Sequence, residues 1–360
     1  MRSGHTSESV ATGRWASMRR WLGQFDWPII MRWLGVVTSV VLFTVHVMGS
    51  VVTDTGSQDG CGNSWPLCRG QFIPTQFARS TLIEFTHRLG VPLITVLMLA
   101  LIVGIVALWR DRLEVKILAP LMFFFLMLQA VLGGLAVKYP TSAVILAFHF
   151  GVSSIAVASV IVTTLFIFEL GRADKLRDRR IPVGLRTLVW GIAIYTYVVL
   201  YLGAYVLHTN STLACTSWPL CAPGSLLPST VEPVVVNMTH RVAALVLTLT
   251  VVWLFFWARR VRKARPDLYL ASVFALVLIC AQALEGAVIV FSRASVWAEV
   301  MHSAFIALFF SVMVYMCMHA LPRPASARTH GATPTTGAGG GSGAKKKATP
   351  SRTASAALHQ

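Results

Sequence analysis

Charge is what this chain has least of. Only 12% of its 360 residues are charged, and only 14 are acidic. A soluble domain carries roughly 25% charged residues, so a soluble globular protein is excluded as the main body. Cysteine is also scarce, at six residues, which rules out a fold stapled throughout by disulfides. Neither cysteine pair in the loops has a histidine nearby at finger-like spacing, which argues against a structural zinc site.

What is present is apolar length. Hydrophobic residues make up 55% of the chain. Eight apolar runs are each long enough to cross a bilayer, which takes about 20 residues. They cover 31–52, 81–108, 116–137, 143–170, 186–207, 234–258, 269–291 and 296–320. Such runs read as helices, because lipid offers the backbone no hydrogen-bond partner. The expectation is an all-α polytopic membrane protein embedded in the lipid bilayer.

The net charge of +17 could suggest nucleic acid, but its placement points to a membrane instead. Arg14, Arg19, Arg20 and Arg32 precede the first span or open it. Arg110, Arg112 and Lys116 separate spans two and three. Arg172 to Arg186 join spans four and five, Arg259 to Arg265 follow span six, and Lys345–Lys347 lie in the tail. The alternate loops carry only Arg69, Arg79, Lys138 and Arg293. The positive-inside rule then places both termini in the cytoplasm and the loops with the cysteines outside. No nucleic-acid partner is expected.

The pentapeptide Ser-Trp-Pro-Leu-Cys occurs at Ser64–Cys68 and again at Ser217–Cys221, 153 residues on. Thr86-His87-Arg88 recurs at Thr239-His240-Arg241 with the same offset, as do Gln129 and Gln282, Gly133 and Gly286, and His149 and His302. At that offset His46 meets Val199 and His208 meets Thr55. The chain therefore reads as two parallel copies of a four-span unit, giving two pseudo-symmetric four-helix bundles. The expected divisions are a cytoplasmic segment at 1–30, a bundle at 31–170, a basic linker at 171–185, a second bundle at 186–320 and a disordered tail at 321–360. The tail is rich in Pro, Ala, Gly, Thr and Ser, a composition that builds no core.

Four of the ten histidines fall into the repeat: His87 with His240, and His149 with His302. Each lies six to eight residues from the outer end of its span, roughly 10 Å deep. Two imidazoles then share a level in each bundle, the arrangement that iron in a porphyrin accepts as axial ligands. Two heme-type sites follow, one per half. The outer pairs Cys61 with Cys68 and Cys215 with Cys221 read either as structural disulfides or as redox-active dithiols. Cys280 and Cys317 read as small core residues. Symmetry breaks at Glu84, three residues before His87 and so on the same helix face. Its counterpart before His240 is Asn237. A carboxylate in a span is a functional candidate; the plainer reading is that Glu84 pairs with Arg88 or caps the helix. Glu299, three before His302, and Glu285 compete with it by spacing.

These residues together resemble the bacterial heme A synthase family. The resemblance covers about 30–320 and rests on Glu84-Phe85-Thr86-His87-Arg88, the outer cysteines with Trp-Pro-Leu-Cys, the four histidines and the duplicated plan. It implies oxidation of the C8 methyl of heme O to a formyl group by successive hydroxylations. It implies heme b on His240 and His302, substrate heme between His87 and His149, and Glu84 as the catalytic carboxylate. A bacterial plasma membrane, an unidentified electron acceptor and the enzyme that makes heme O as a partner follow from it. Two other classes fit parts of the pattern. A di-heme cytochrome oxidising quinol would use the same histidines. A quinone-linked disulfide relay would use the cysteines and leave the histidines unexplained.

Overall fold

A computed structural model describes residues 26–139, 142–171, 181–221 and 230–321. The expected N-terminal segment as far as 25, most of the basic linker and the tail beyond 321 lie outside the described residues. Among those described, eight helices are long and apolar enough to cross a membrane. They are α1 (Trp27–Asp54), α2 (Arg79–Trp109), α3 (Leu113–Lys138), α4 (Ala143–Phe168), α5 (Val183–His208), α6 (Glu232–Arg260), α7 (Pro266–Phe291) and α8 (Val296–Ala320). The chain is an all-helical, multi-pass membrane protein.

The helices outrun the apolar segments by a few residues because polar ends continue the ladder into caps. Asp26 accepts from the Ile29 N–H at the start of α1, and Ser142 accepts from the Ile145 N–H at the start of α4. Hydroxyls inside the helices are satisfied locally. Thr38 donates to the Leu34 carbonyl, Thr163 to that of Ser159 and Thr196 to that of Ile192. That back-bonding makes polar residues tolerable in an apolar medium.

Within α1–α4 each helix packs on the next, and α4 packs back on α1; α5–α8 close in the same order. One apolar core lies inside each quartet. Met31, Met98, Met122 and Ile167 belong to the first, and Leu185, Leu254, Phe309 and Met313 to the second. The quartets meet where α4 packs on α5 and α8, and α1 on α8. A small third cluster, Leu118, Val162 and Met318, fills the seam. At the other end of that seam Gly151 leaves room for the ring of Tyr201, which a Cβ would meet at 2.7 Å.

Candidate functional site

At the cysteine-loop end of the helices is a cavity of about 810 Å³, lined by both quartets. His87, His149, His240 and His302 all line it. The Nδ1 atom of each is buried without a hydrogen-bond partner. A glycine lies beside each ring, and two of the four approach closely enough to require one. A Cβ on Gly49 would lie 3.3 Å from His87 Cε1, and one on Gly203 would lie 2.9 Å from His240 Cε1. A Cβ on Gly133 or Gly286 would only touch the His149 or His302 ring, at 3.5 and 3.6 Å from Cε1. Any larger residue at Gly203 would push the imidazole off its position. Gln129 adds to the first site by donating to the His149 carbonyl at 3.2 Å.

The repeated pentapeptide covers this cavity. Trp65 and Trp218 both line it, each followed by a cis-proline. Ser64 donates to the Leu67 carbonyl at 3.3 Å, and Ser217 to that of Leu220 at 2.6 Å. Arginines next to the histidines pin the loops. Arg88 Nη1 donates to the carbonyls of Ser64 and Leu67 at 2.6 and 2.7 Å. Arg241 Nη1 donates to those of Ser217 and Leu220 at 2.6 and 3.5 Å. Charge-assisted bonds of this kind are about twice as strong as neutral ones. Each His-Arg dipeptide thus supplies a ring to the cavity and an anchor to its cover. The anchoring of the loops by these arginines has no sequence signal beyond their place in the repeated Thr-His-Arg. Cys61 and Cys68 lie at disulfide distance, 2.04 Å, as do Cys215 and Cys221 at 2.09 Å. Cys317 is buried, and Cys280 is exposed on the described surface.

The structure also shows what the shorter second cysteine loop changes. Thr55 bonds Ser57 as Thr209 bonds Ser211, and Gly49 meets His87 as Gly203 meets His240. These pairs differ by 154, whereas the residues after the loops differ by 153. His46 therefore corresponds to Leu200, not Val199, and His208 to Asp54, not Thr55. The cause is the one residue missing between Cys215 and Cys221.

Glu84 is buried and lines the cavity. Its Oε2 accepts from the Cys61 N–H at 2.7 Å, and its Oε1 accepts from Arg88 Nε at 3.0 Å. The pairing with Arg88 is thus present, and the carboxylate also joins the cysteine loop to the His87 helix. Asn237 takes its place in the second quartet and donates to the carbonyls of Ser211 and Thr212. Asn can hold the loop, but it brings no charge. Glu299 lines the cavity too, while Glu285 does not. His46, which the repeat set aside, is buried, lines the cavity and shares a 2.9 Å hydrogen bond with Ser153.

The arrangement suits two flat, metal-centred rings. Paired imidazoles face an apolar cavity, glycines lie beside them, and Glu84 stands beside His87 where Asn237 stands beside His240. Residues 31–314 match the family model COX15-CtaA, described as cytochrome oxidase assembly protein. The chain is 38% identical over 296 residues to a heme A synthase of Geobacillus kaustophilus, covering 81% of this chain and 92% of that protein. It is 36% identical over 303 residues to a heme A synthase of Bacillus cereus, covering 84% and 97%. A heme A synthase of Geobacillus thermodenitrificans is 37% identical over 300 residues, covering 82% and 94%. On this extent and identity, the chain belongs to the COX15-CtaA family of cytochrome oxidase assembly proteins.

Proposed function

We propose that this chain is a heme A synthase, oxidising the C8 methyl of heme O through successive hydroxylations and loss of water to a formyl group. The observation that carries this reading is one cavity lined by two imidazole pairs, with Glu84 three residues before His87 where the second pair has Asn237 before His240. In this reading α1–α4 bind substrate heme between His87 and His149, and α5–α8 hold heme b on His240 and His302. Heme b supplies one-electron redox chemistry when bound. Gly49 and Gly203 leave room for the His87 and His240 rings, and Trp65 and Trp218 line the loop end of the cavity.

Glu84 has a defined task in this scheme. Oxidation of a methyl carbon develops positive charge and releases protons. A fixed carboxylate can stabilise that charge or accept a proton. Arg88 and the Cys61 N–H hold the carboxylate in place, so it needs no reorganisation at the moment of reaction. Asn237 offers no charge at the other site, which fits a heme that is not altered there.

The distribution of basic residues supports cysteine loops and heme levels that lie toward the outer face of a bacterial plasma membrane. The enzyme that makes heme O is a natural partner, since its product is buried in lipid. Pigment analysis tests the reading. Membranes containing the chain, supplied with heme O, should yield heme A or its hydroxylated precursor. Recovery of heme b alone would point to a cytochrome, and absence of heme to a disulfide relay.

A further inference from the structure

The two sites differ in how far they run from the loop end. Leu42, Met98 and Ala156 line the cavity on the α1–α4 side. Their counterparts, at offsets of 154 for α1 and 153 for the others, are Thr196, Val251 and Phe309. None of these three lines it. All six are buried, Ala156 within the apolar core of α1–α4 and Phe309 within that of α5–α8. The volume that Ala156 leaves open in one site is thus filled by an aromatic ring in the other. Leu42 lies twelve residues before Asp54, about 18 Å along α1. That is two turns beyond Gly49, where the His87 ring rests. The extension therefore continues past the level of the imidazoles toward the middle of the helices.

The neck of this extension is polar on one side only. His46 is 5% exposed, its Nδ1 bonds Ser153 Oγ at 2.9 Å, and its Nε2 is buried without a partner. The corresponding residues are Leu200 and Ile306, both buried and apolar. The second site shows that packing at this level does not require the polar pair. An orphaned ring nitrogen in an apolar cavity is costly unless a ligand group meets it.

We propose that the extension holds the long apolar side chain of a prenylated porphyrin. Ala156 keeps the channel open, and His46 with Ser153 binds a hydroxyl at the root of that chain. Phe309 bars such a chain from the second site, which then takes only a porphyrin without one. The proposal rests on the heme A synthase reading for its substrate. Heme O differs from heme b by an isoprenoid chain with a hydroxyl at its root, which is the chemistry this asymmetry selects.

The test is an optical titration of the purified full-length protein, carrying its heme b, with heme O and with iron protoporphyrin. Ala156→Phe copies the second site. It should weaken heme O binding about tenfold or more, as expected when a long apolar group loses its pocket. Protoporphyrin binding and the heme b spectrum should not change. His46→Leu with Ser153→Ile should weaken heme O binding several-fold, roughly the effect of one hydrogen bond, and again spare protoporphyrin. If Ala156→Phe does not retain heme b, Ala156→Leu is titrated instead, with the same selective loss expected. Equal loss for both porphyrins, or no loss for heme O, overturns the proposal. Heme A production by unaltered membranes is measured in parallel. If heme A forms and no selectivity appears, the channel fails and the function stands. If selectivity appears without heme A, the function fails and the channel stands.

Discussion

Single residues distinguish the two halves. His240 and His302 lie against Gly203 and Gly286, with no hydrogen-bond partner on either Nδ1. Replacing either with Ala should abolish a low-spin, bis-imidazole spectrum in the purified protein. Retention of that spectrum in both variants would mean that heme b sits elsewhere. Glu84→Gln keeps the shape of the side chain and its link to the loop but removes the charge. It should leave the heme b spectrum intact and lower the ratio of heme A to heme O in membranes. A fixed charge of this kind contributes about 3–4 kcal/mol, a rate loss of order 10²–10³. Glu299→Gln should change that ratio much less. The opposite ranking would move the catalytic role to Glu299. That Glu84 was worth singling out was legible in the sequence, because its counterpart is Asn237. Its bond to the Cys61 N–H was not, since it depends on how a loop 23 residues away folds back.

At the scale of elements, the eight helices were legible because apolar length in a membrane leaves the backbone one solution. Their ends were less so, since Asp26 and Ser142 extend helices beyond the apolar runs. The register of the repeat changes at the cysteine loops, since Cys61 and Cys215 differ by 154 and Cys68 and Cys221 by 153. A single offset applied to the whole chain therefore pairs His46 with Val199 instead of Leu200. The loops themselves make a separate prediction. Each closes a short ring at disulfide distance and is held independently by Arg88 or Arg241. Closing so short a loop stabilises by about 2–3 kcal/mol. A Cys215→Ala, Cys221→Ala variant should therefore melt at lower temperature yet keep heme b and some heme A production. Loss of activity at unchanged stability and heme content would show redox work by the pair.

The whole molecule depends on how the quartets are joined, and polar residues do much of that at the end remote from the cysteine loops. Glu169, just beyond α4, accepts from Tyr315 on α8 at 2.8 Å and pairs with His319 at 3.0 Å. His319 also contacts Asp267, which Arg265 grips through two nitrogens. Burial alone would raise the Glu169 carboxyl, but His319 and Tyr315 outweigh it and hold it below the usual carboxylate range. A depressed carboxyl contributes stability that is fully present above the ordinary carboxylate range. That contribution is lost as pH falls through the lower folded-state value. Glu169→Gln removes the charge and leaves His319 with one carboxylate, so it should cost roughly 1–3 kcal/mol near neutral pH. The deficit relative to the unaltered protein should shrink as the solution is acidified, because both then lack the charge. Thermal unfolding in detergent at neutral and acidic pH measures it. His319 is seventeen residues beyond His302 on α8, about 25 Å away along the helix. The heme b spectrum of the variant should therefore be unchanged before unfolding begins. A deficit that is constant with pH would show that Glu169 joins the quartets by packing rather than by its charge. A shifted heme spectrum at neutral pH would show that this network also sets the geometry of the second site.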